Sequence, residues 1–114
     1  MKSIGGDKLR GHLETMVLSV LERGEAHGLE VLRRLEEAGC GLLHLKEGSL
    51  YPALYRLEQA GKVEAVWEAE PHGRRGPRRR IYRLTAKGKR ELAKGREEWA
   101  SFVQVIGTVL GAQA

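Results

Sequence analysis

The chain has 114 residues, 41% of them hydrophobic and 31% charged, with 20 Lys and Arg against 15 Asp and Glu. That is material for one small domain with a modest core, which excludes a two-domain enzyme. The single cysteine, Cys40, excludes an internal disulfide framework and a multi-cysteine zinc site, and the lack of any apolar run near the ~20 residues of a membrane span, or of an apolar signal core behind Met1, makes the cytoplasm the expected location.

Leu9, Leu13, Met16, Val17, Val20 and Leu21 recur at three- and four-residue intervals and predict a first amphipathic helix, ended by Gly24. After the short turn Glu25-Ala26-His27-Gly28, the residues Leu29, Leu32 and Leu35 predict a second helix that stops at Gly39. Residues 40–45 read as a connector able to pair as a brief strand. Leu50, Ala53, Leu54 and Leu57 predict a third helix between Glu47 and Ala60, capped by Gly61. Pro52 is tolerated only in a first turn, so the regular helix is expected to begin near Ser49, a good N-cap residue.

Val63, Ala65, Trp67 and Ala69 alternate with acidic residues, and Arg80, Tyr82 and Leu84 alternate with Ile81 and Arg83, the period-2 signature of two half-buried strands. Glu70-Pro71-His72-Gly73-Arg74-Arg75-Gly76-Pro77 lies between them as an exposed hairpin tip. Thr85 is then placed to N-cap a final helix reaching Leu110, about 26 residues and ~39 Å long.

The basicity is local. Residues 71–90 carry nine Lys and Arg and no acid, so the rest of the chain is net acidic. Arg74, Arg75, Arg78 and Arg79 crowd the hairpin tip, where guanidinium forks can pair with phosphates or enter a narrow minor groove. On the third helix Tyr51, Tyr55, Arg56 and Gln59 lie off the leucine face, and Ser49 and Lys46 stand at its start with His44 just upstream. Hydroxyls and amines there suit phosphate oxygens, and Arg56 suits a phosphate or a guanine edge. Tyr51 or Tyr55 packing beneath the hairpin is the competing use of those rings.

Leu92, Trp99 and Ile106 fall seven apart, with Phe102 and Val109 three residues after the last two, and Val103 and Leu110 widen the stripe. This is an a/d heptad seam that needs a partner. A second copy of the chain is the expected partner, with folding back on the first helix as the alternative. Gly95 takes a d position and leaves room for a close approach.

Three helices followed by a basic hairpin is the order of a winged helix-turn-helix. The expected fold is therefore mainly α with a small β-hairpin (α+β): a DNA-binding domain over residues 7–84 and a dimerisation helix over 85–110 packed on it. The alternative is a dimeric basic module that binds RNA or an acidic protein without operator specificity. Catalysis is not expected. His12, His27, His44 and His72 are scattered without a metal-binding i, i+4 pair, Cys40 has no evident base and reads as a small buried hydrophobe, and no glycine set has phosphate-loop spacing. No metal or cofactor is implied, and His27-Gly28 reads as a helix start.

Gly48-Ser49-Leu50-Tyr51-Pro52-Ala53-Leu54-Tyr55-Arg56-Leu57-Glu58 with Gly61, then Arg80-Ile81-Tyr82-Arg83-Leu84-Thr85 and Gly88, resemble the PadR family of transcriptional regulators. His27-Gly28-Leu29-Glu30-Val31 resembles the family's opening of the second helix, and residues 99–110 its terminal dimer helix, as in the short subfamily with a single such helix. The resemblance implies a homodimeric repressor that binds a palindromic operator in double-stranded DNA and releases it on a small-molecule or other signal. It implies recognition-helix roles for Ser49, Tyr51, Pro52 and Arg56 and wing roles for the arginines between Gly73 and Arg80. Trp99 matches the family's interface tryptophan, which in some short members sandwiches flat aromatic molecules. A planar aromatic effector and simple packing of the seam are both open for it.

Overall fold

The computed structural model describes residues 4–5, 9, 11–69 and 76–112. Its elements run β1 (Ile4–Gly5), α1 (Leu13–Leu21), β2 (Ala26–His27), α2 (Gly28–Ala38), β3 (Leu43–His44), α3 (Glu47–Gln59), β4 (Val63–Trp67), β5 (Arg80–Leu84) and α4 (Ala86–Leu110). The expected α+β architecture is present: the first three helices enclose a core, a small sheet covers one side, and α4 crosses α1. Among the described residues no helix is long and apolar enough to cross a membrane.

The core follows the helical spacing. Val17, Leu18, Val20 and Leu21 from α1, Val31 and Leu35 from α2, and Leu50, Leu54 and Leu57 from α3 are buried together with Val63, Tyr82 and Leu92. Each such leucine contributes roughly 1.5–3 kcal/mol of burial. The regular part of α1 starts at Leu13 rather than Leu9, because Gly11 at φ 90 turns the chain just before it. In α2 the buried positions are Gly28, Val31 and Leu35, and Leu29 is 48% exposed. A helix that opens at Gly28 turns its fourth residue, not its second, toward α1.

The sheet has three strands in the order β2-β5-β4. The hairpin pairs antiparallel from Val63 with Leu84 to Trp67 with Arg80, and β2 joins the far edge of β5 through Ala26 with Tyr82 and His27 with Ile81. β3 lies in the expected connector and pairs parallel with β1.

α3 begins at Glu47, two residues before the expected start. Lys46 is its N-cap by backbone conformation alone, with no side-chain cap, and the Ser49 N–H donates to the Lys46 carbonyl at 3.0 Å. Ser49 is therefore a first-turn residue. Pro52 lies inside the helix and removes only the donor owed to the carbonyl of Gly48, which is exposed to solvent. Gly61 at φ 75 closes α3: its N–H donates to Glu58, and the Lys62 N–H to Leu57.

Cys40 is exposed, not buried. It ends α2 in the left-handed conformation at φ 56, with its N–H on the Glu37 carbonyl and the Gly41 N–H on Glu36. This cap places the glycine one residue later than the helix end requires.

Two glycines set the position of α4. The Thr85 hydroxyl accepts from the Gly88 N–H at 3.0 Å, as expected of an N-cap. A Cβ on Gly88 would lie 2.0 Å from the Lys62 carbonyl oxygen, and one on Gly95 would lie 2.8 Å from the Thr15 methyl. The room at Gly95 is thus taken by α1 of the same chain.

Candidate nucleic-acid interface and helix seam

With Leu50, Ala53, Leu54 and Leu57 turned inward, the opposite side of α3 presents Gly48, Pro52, Tyr55 and Gln59 to solvent. Tyr55 is 62% exposed. Ser49 and Arg56 stand on one flank and Tyr51 on the other, and Lys46 is exposed at the N-terminus. All six expected residues of this helix therefore lie on its accessible surface.

They are not equally free. The Tyr51 ring occupies the space a Cβ of Gly28 would need, 2.5 Å from that position, so the missing side chain at Gly28 lets the ring lean on the start of α2. Tyr51 there lines a groove with His27, Gly28, Leu29, Arg79, Arg80 and Tyr82 at the base of the hairpin. Arg56 faces α1, where its Nε is 3.5 Å from a Glu14 carboxylate oxygen. Glu14 was not legible as part of this surface, since 42 residues separate the two partners.

The hairpin arginines divide into two kinds. Arg74 and Arg75 lie outside the described residues. Arg78 is exposed. Arg79 is half-buried: its N–H donates to Glu68 at 3.1 Å, and its Nη1 is 3.0 Å from His27 Nε2. Arg80 pairs with Glu58 at 2.8 Å and stacks 5.6 Å from the Trp67 ring centre, and Arg83 pairs with Glu64. These three tie the sheet to its surroundings, so less of the basic run is available to a ligand than its sequence suggests.

His27 is the N-cap of α2, as its place before Gly28 predicts, with Nδ1 accepting from the Glu30 N–H at 3.3 Å. A neutral ring that accepts at Nδ1 carries its proton on Nε2, which then meets a guanidinium donor. His27 serves the cap or Arg79, one at a time. Glu30 also binds Arg33 and Arg34. The hydrogen-bonded Arg33 guanidinium, partly offset by desolvation and reinforced by Arg34, holds the Glu30 carboxyl down at about 2.

Along α4 the seam residues separate at Gly95. Leu92 is 1% exposed and belongs to the chain's own core, so it has no surface to offer a second chain. Beyond Gly95 the helix shows Trp99, Phe102, Val103, Ile106, Val109 and Leu110 to solvent, from 41% for Ile106 to 77% for Val109. Val105 is exposed in the same way. The sequence reading missed it although it falls three residues after Phe102 and four before Val109. Trp99 and Phe102 are nearly parallel, with centres 5.7 Å apart, and His12 sits edge-on to Trp99 at 5.2 Å. Below them Arg96 binds Glu22 at 3.0 Å and reaches Ser19, locking α4 onto α1 and holding Glu22 below the usual carboxylate range.

The sequence profile of the transcriptional regulator PadR-like family matches residues 17–94. The chain belongs to the PadR family. Solved structures agree along nearly the whole length. A transcriptional regulator from Clostridium thermocellum superimposes with a TM-score of 0.80 at 31% identity, covering 90% of this chain and 97% of that one. A PadR-like transcriptional regulator from Bacillus cereus gives 0.75 at 27% identity over 95% and 100%. An uncharacterised protein of Lysinibacillus sphaericus is 28% identical over 103 residues, 90% of this chain and 92% of that one. The chain is thus a transcriptional regulator of the PadR family with a DNA-binding winged-helix fold. The profile ends at Lys94, so the exposed apolar half of α4 lies beyond it.

Proposed function

We propose that this PadR protein is a cytoplasmic, homodimeric repressor of the short subfamily that binds a palindromic operator and leaves it on a small-molecule or other signal. The observation that carries the reading is the exposed face of α3, where Lys46, Ser49, Pro52, Tyr55 and Arg56 stand on the outer side of a helix whose other side is core. In this reading α3 enters the major groove, Arg56 meets a base edge or a phosphate, and Tyr51, held against Gly28, contributes its hydroxyl at the groove rim. Arg78 with Arg74 and Arg75 supplies wing contacts to the backbone, and Arg79 shapes the wing from within through Glu68.

Residues 7–84 form the DNA-binding unit and 85–110 the dimerisation helix. Trp99, Phe102, Val103, Ile106, Val109 and Leu110 meet their counterparts in a second copy. Seven exposed large apolar side chains on one stretch of helix are more than a monomer surface ordinarily leaves to water. Trp99, with Phe102 parallel to it, is also the place for a planar aromatic effector, because flat rings stack there without new hydrogen bonds.

The test is fluorescence-anisotropy binding to the DNA immediately upstream of the protein's own gene, at low and physiological salt, beside a scrambled duplex of equal length. A regulator prefers one duplex by ~10³ or more and keeps that preference in salt. Equal, salt-erased binding to both would leave only a basic surface that also suits RNA or an acidic protein.

A further inference from the structure

We propose that Glu14 on α1 is a positioning residue for DNA binding, a brake that competes with the operator for Arg56. The inference rests on the α3 reading above and adds a residue to it from a helix that reading does not use. Glu14 and Arg56 approach to 3.5 Å with both side chains about half exposed, 43% and 56%. An exposed pair of this kind adds little to stability. Its consequence lies in where it stands, because it occupies the guanidinium that α3 would turn to DNA.

The pair is anchored on the α1 side. Thr15, the next residue, fills the space against Gly95 of α4, Arg96 of α4 binds Glu22 and reaches Ser19, and His12 lies edge-on to Trp99. Thr15 and Ser19 of α1 and its flanking caps His12 and Glu22 thus all touch α4, which places Glu14 on the side of α1 between α3 and α4. Glu14 also borders a cleft of about 210 Å³ whose lining carries Lys62 and Lys94 together with the carboxylates Glu91 and Glu98. When Arg56 leaves for DNA, the half-exposed carboxylate is left to water.

The experiment is a double-mutant cycle on the full-length chain: wild type, Glu14→Gln, Arg56→Ala and the double variant, each titrated with the upstream duplex and its scrambled control. Glu14→Gln is expected to bind the upstream duplex up to about fivefold more tightly than wild type. In the Arg56→Ala background the same change is expected to do nothing, because the competitor then has nothing to hold. An equal gain with and without Arg56 would make Glu14 only a background charge near phosphate and would overturn the proposal, as would no gain in either. The wild-type preference for upstream over scrambled DNA, read in the same titrations, tests the regulator reading separately.

Discussion

The Lys62 carbonyl oxygen lies 2.0 Å from where a Cβ of Gly88 would stand, so the first turn of α4 rests directly on the turn that ends α3. Lys62 carries this junction in both directions, since its carbonyl also accepts from the Thr85 N–H and its own N–H closes α3 on Leu57. The contact joins α3 to the helix that bears the exposed apolar stretch.

Gly88→Ala is therefore expected to cost about 3 kcal/mol, because the obstacle is backbone and cannot rotate away. Gly48→Ala, where nothing lies within 4 Å, is the control and should be neutral or stabilising by up to ~1 kcal/mol. Urea denaturation of both variants decides it, and equal midpoints would refute the close approach.

Cys40→Gly should raise stability by up to ~1 kcal/mol. The left-handed conformation at φ 56 costs an L-residue roughly 1–2 kcal/mol, and the extra freedom of glycine in the unfolded chain takes back about half to one of that. A higher urea midpoint at unchanged slope is the expected result, whereas a lower midpoint would mean that the thiol makes a contact worth more than the strain.

Acid stability should depend on Glu30. Its folded value of about 2 lies below the ordinary 4.5, so its contribution is complete above about pH 4.5 and is lost as the pH falls toward 2. Thermal melts of Glu30→Gln should show a flatter loss of stability across that window than wild type. An identical acid slope would place the acid sensitivity elsewhere.

Trp99→Ala should shift sedimentation toward monomer, since it removes the largest side chain of the exposed stretch of α4. An unchanged, tight dimer would move the interface off this helix.

Arg56→Ala and Arg78→Ala should fail differently. Loss of Arg56 is expected to cost roughly 1–3 kcal/mol on the operator and less on other duplexes if it reads a base edge. Loss of Arg78 should weaken every duplex alike and reduce the salt slope by about 0.9. Anisotropy titrations over a salt series separate the two, and uniform loss from both would deny base reading by Arg56.

What the sequence conveyed was mostly local and periodic. Thr85 and Gly61 announce their helix ends because caps act within three residues, and the two hairpin strands follow from alternation over five residues each. β2 escaped notice because a strand of two residues has no period to detect. A proline three residues on makes Ser49 look like an N-cap, yet the exposure of Gly48 relieves the proline and lets the helix begin at Glu47. Leu92 fits the heptad numerically but falls where α4 still crosses α1, so the seam begins only after Gly95. The ties at Arg56, Arg79 and Arg80 could not be seen, because each partner lies tens of residues away or across a strand pair.

The measurement that bears most directly on the account is selection of duplexes from a random-sequence library by the full-length protein at physiological salt. The account predicts an enriched inverted repeat whose half-sites lie about one helical turn, 10–10.5 base pairs, or a multiple of it apart. Enrichment of no sequence at all, or of a single half-site without its mirror image, would contradict it.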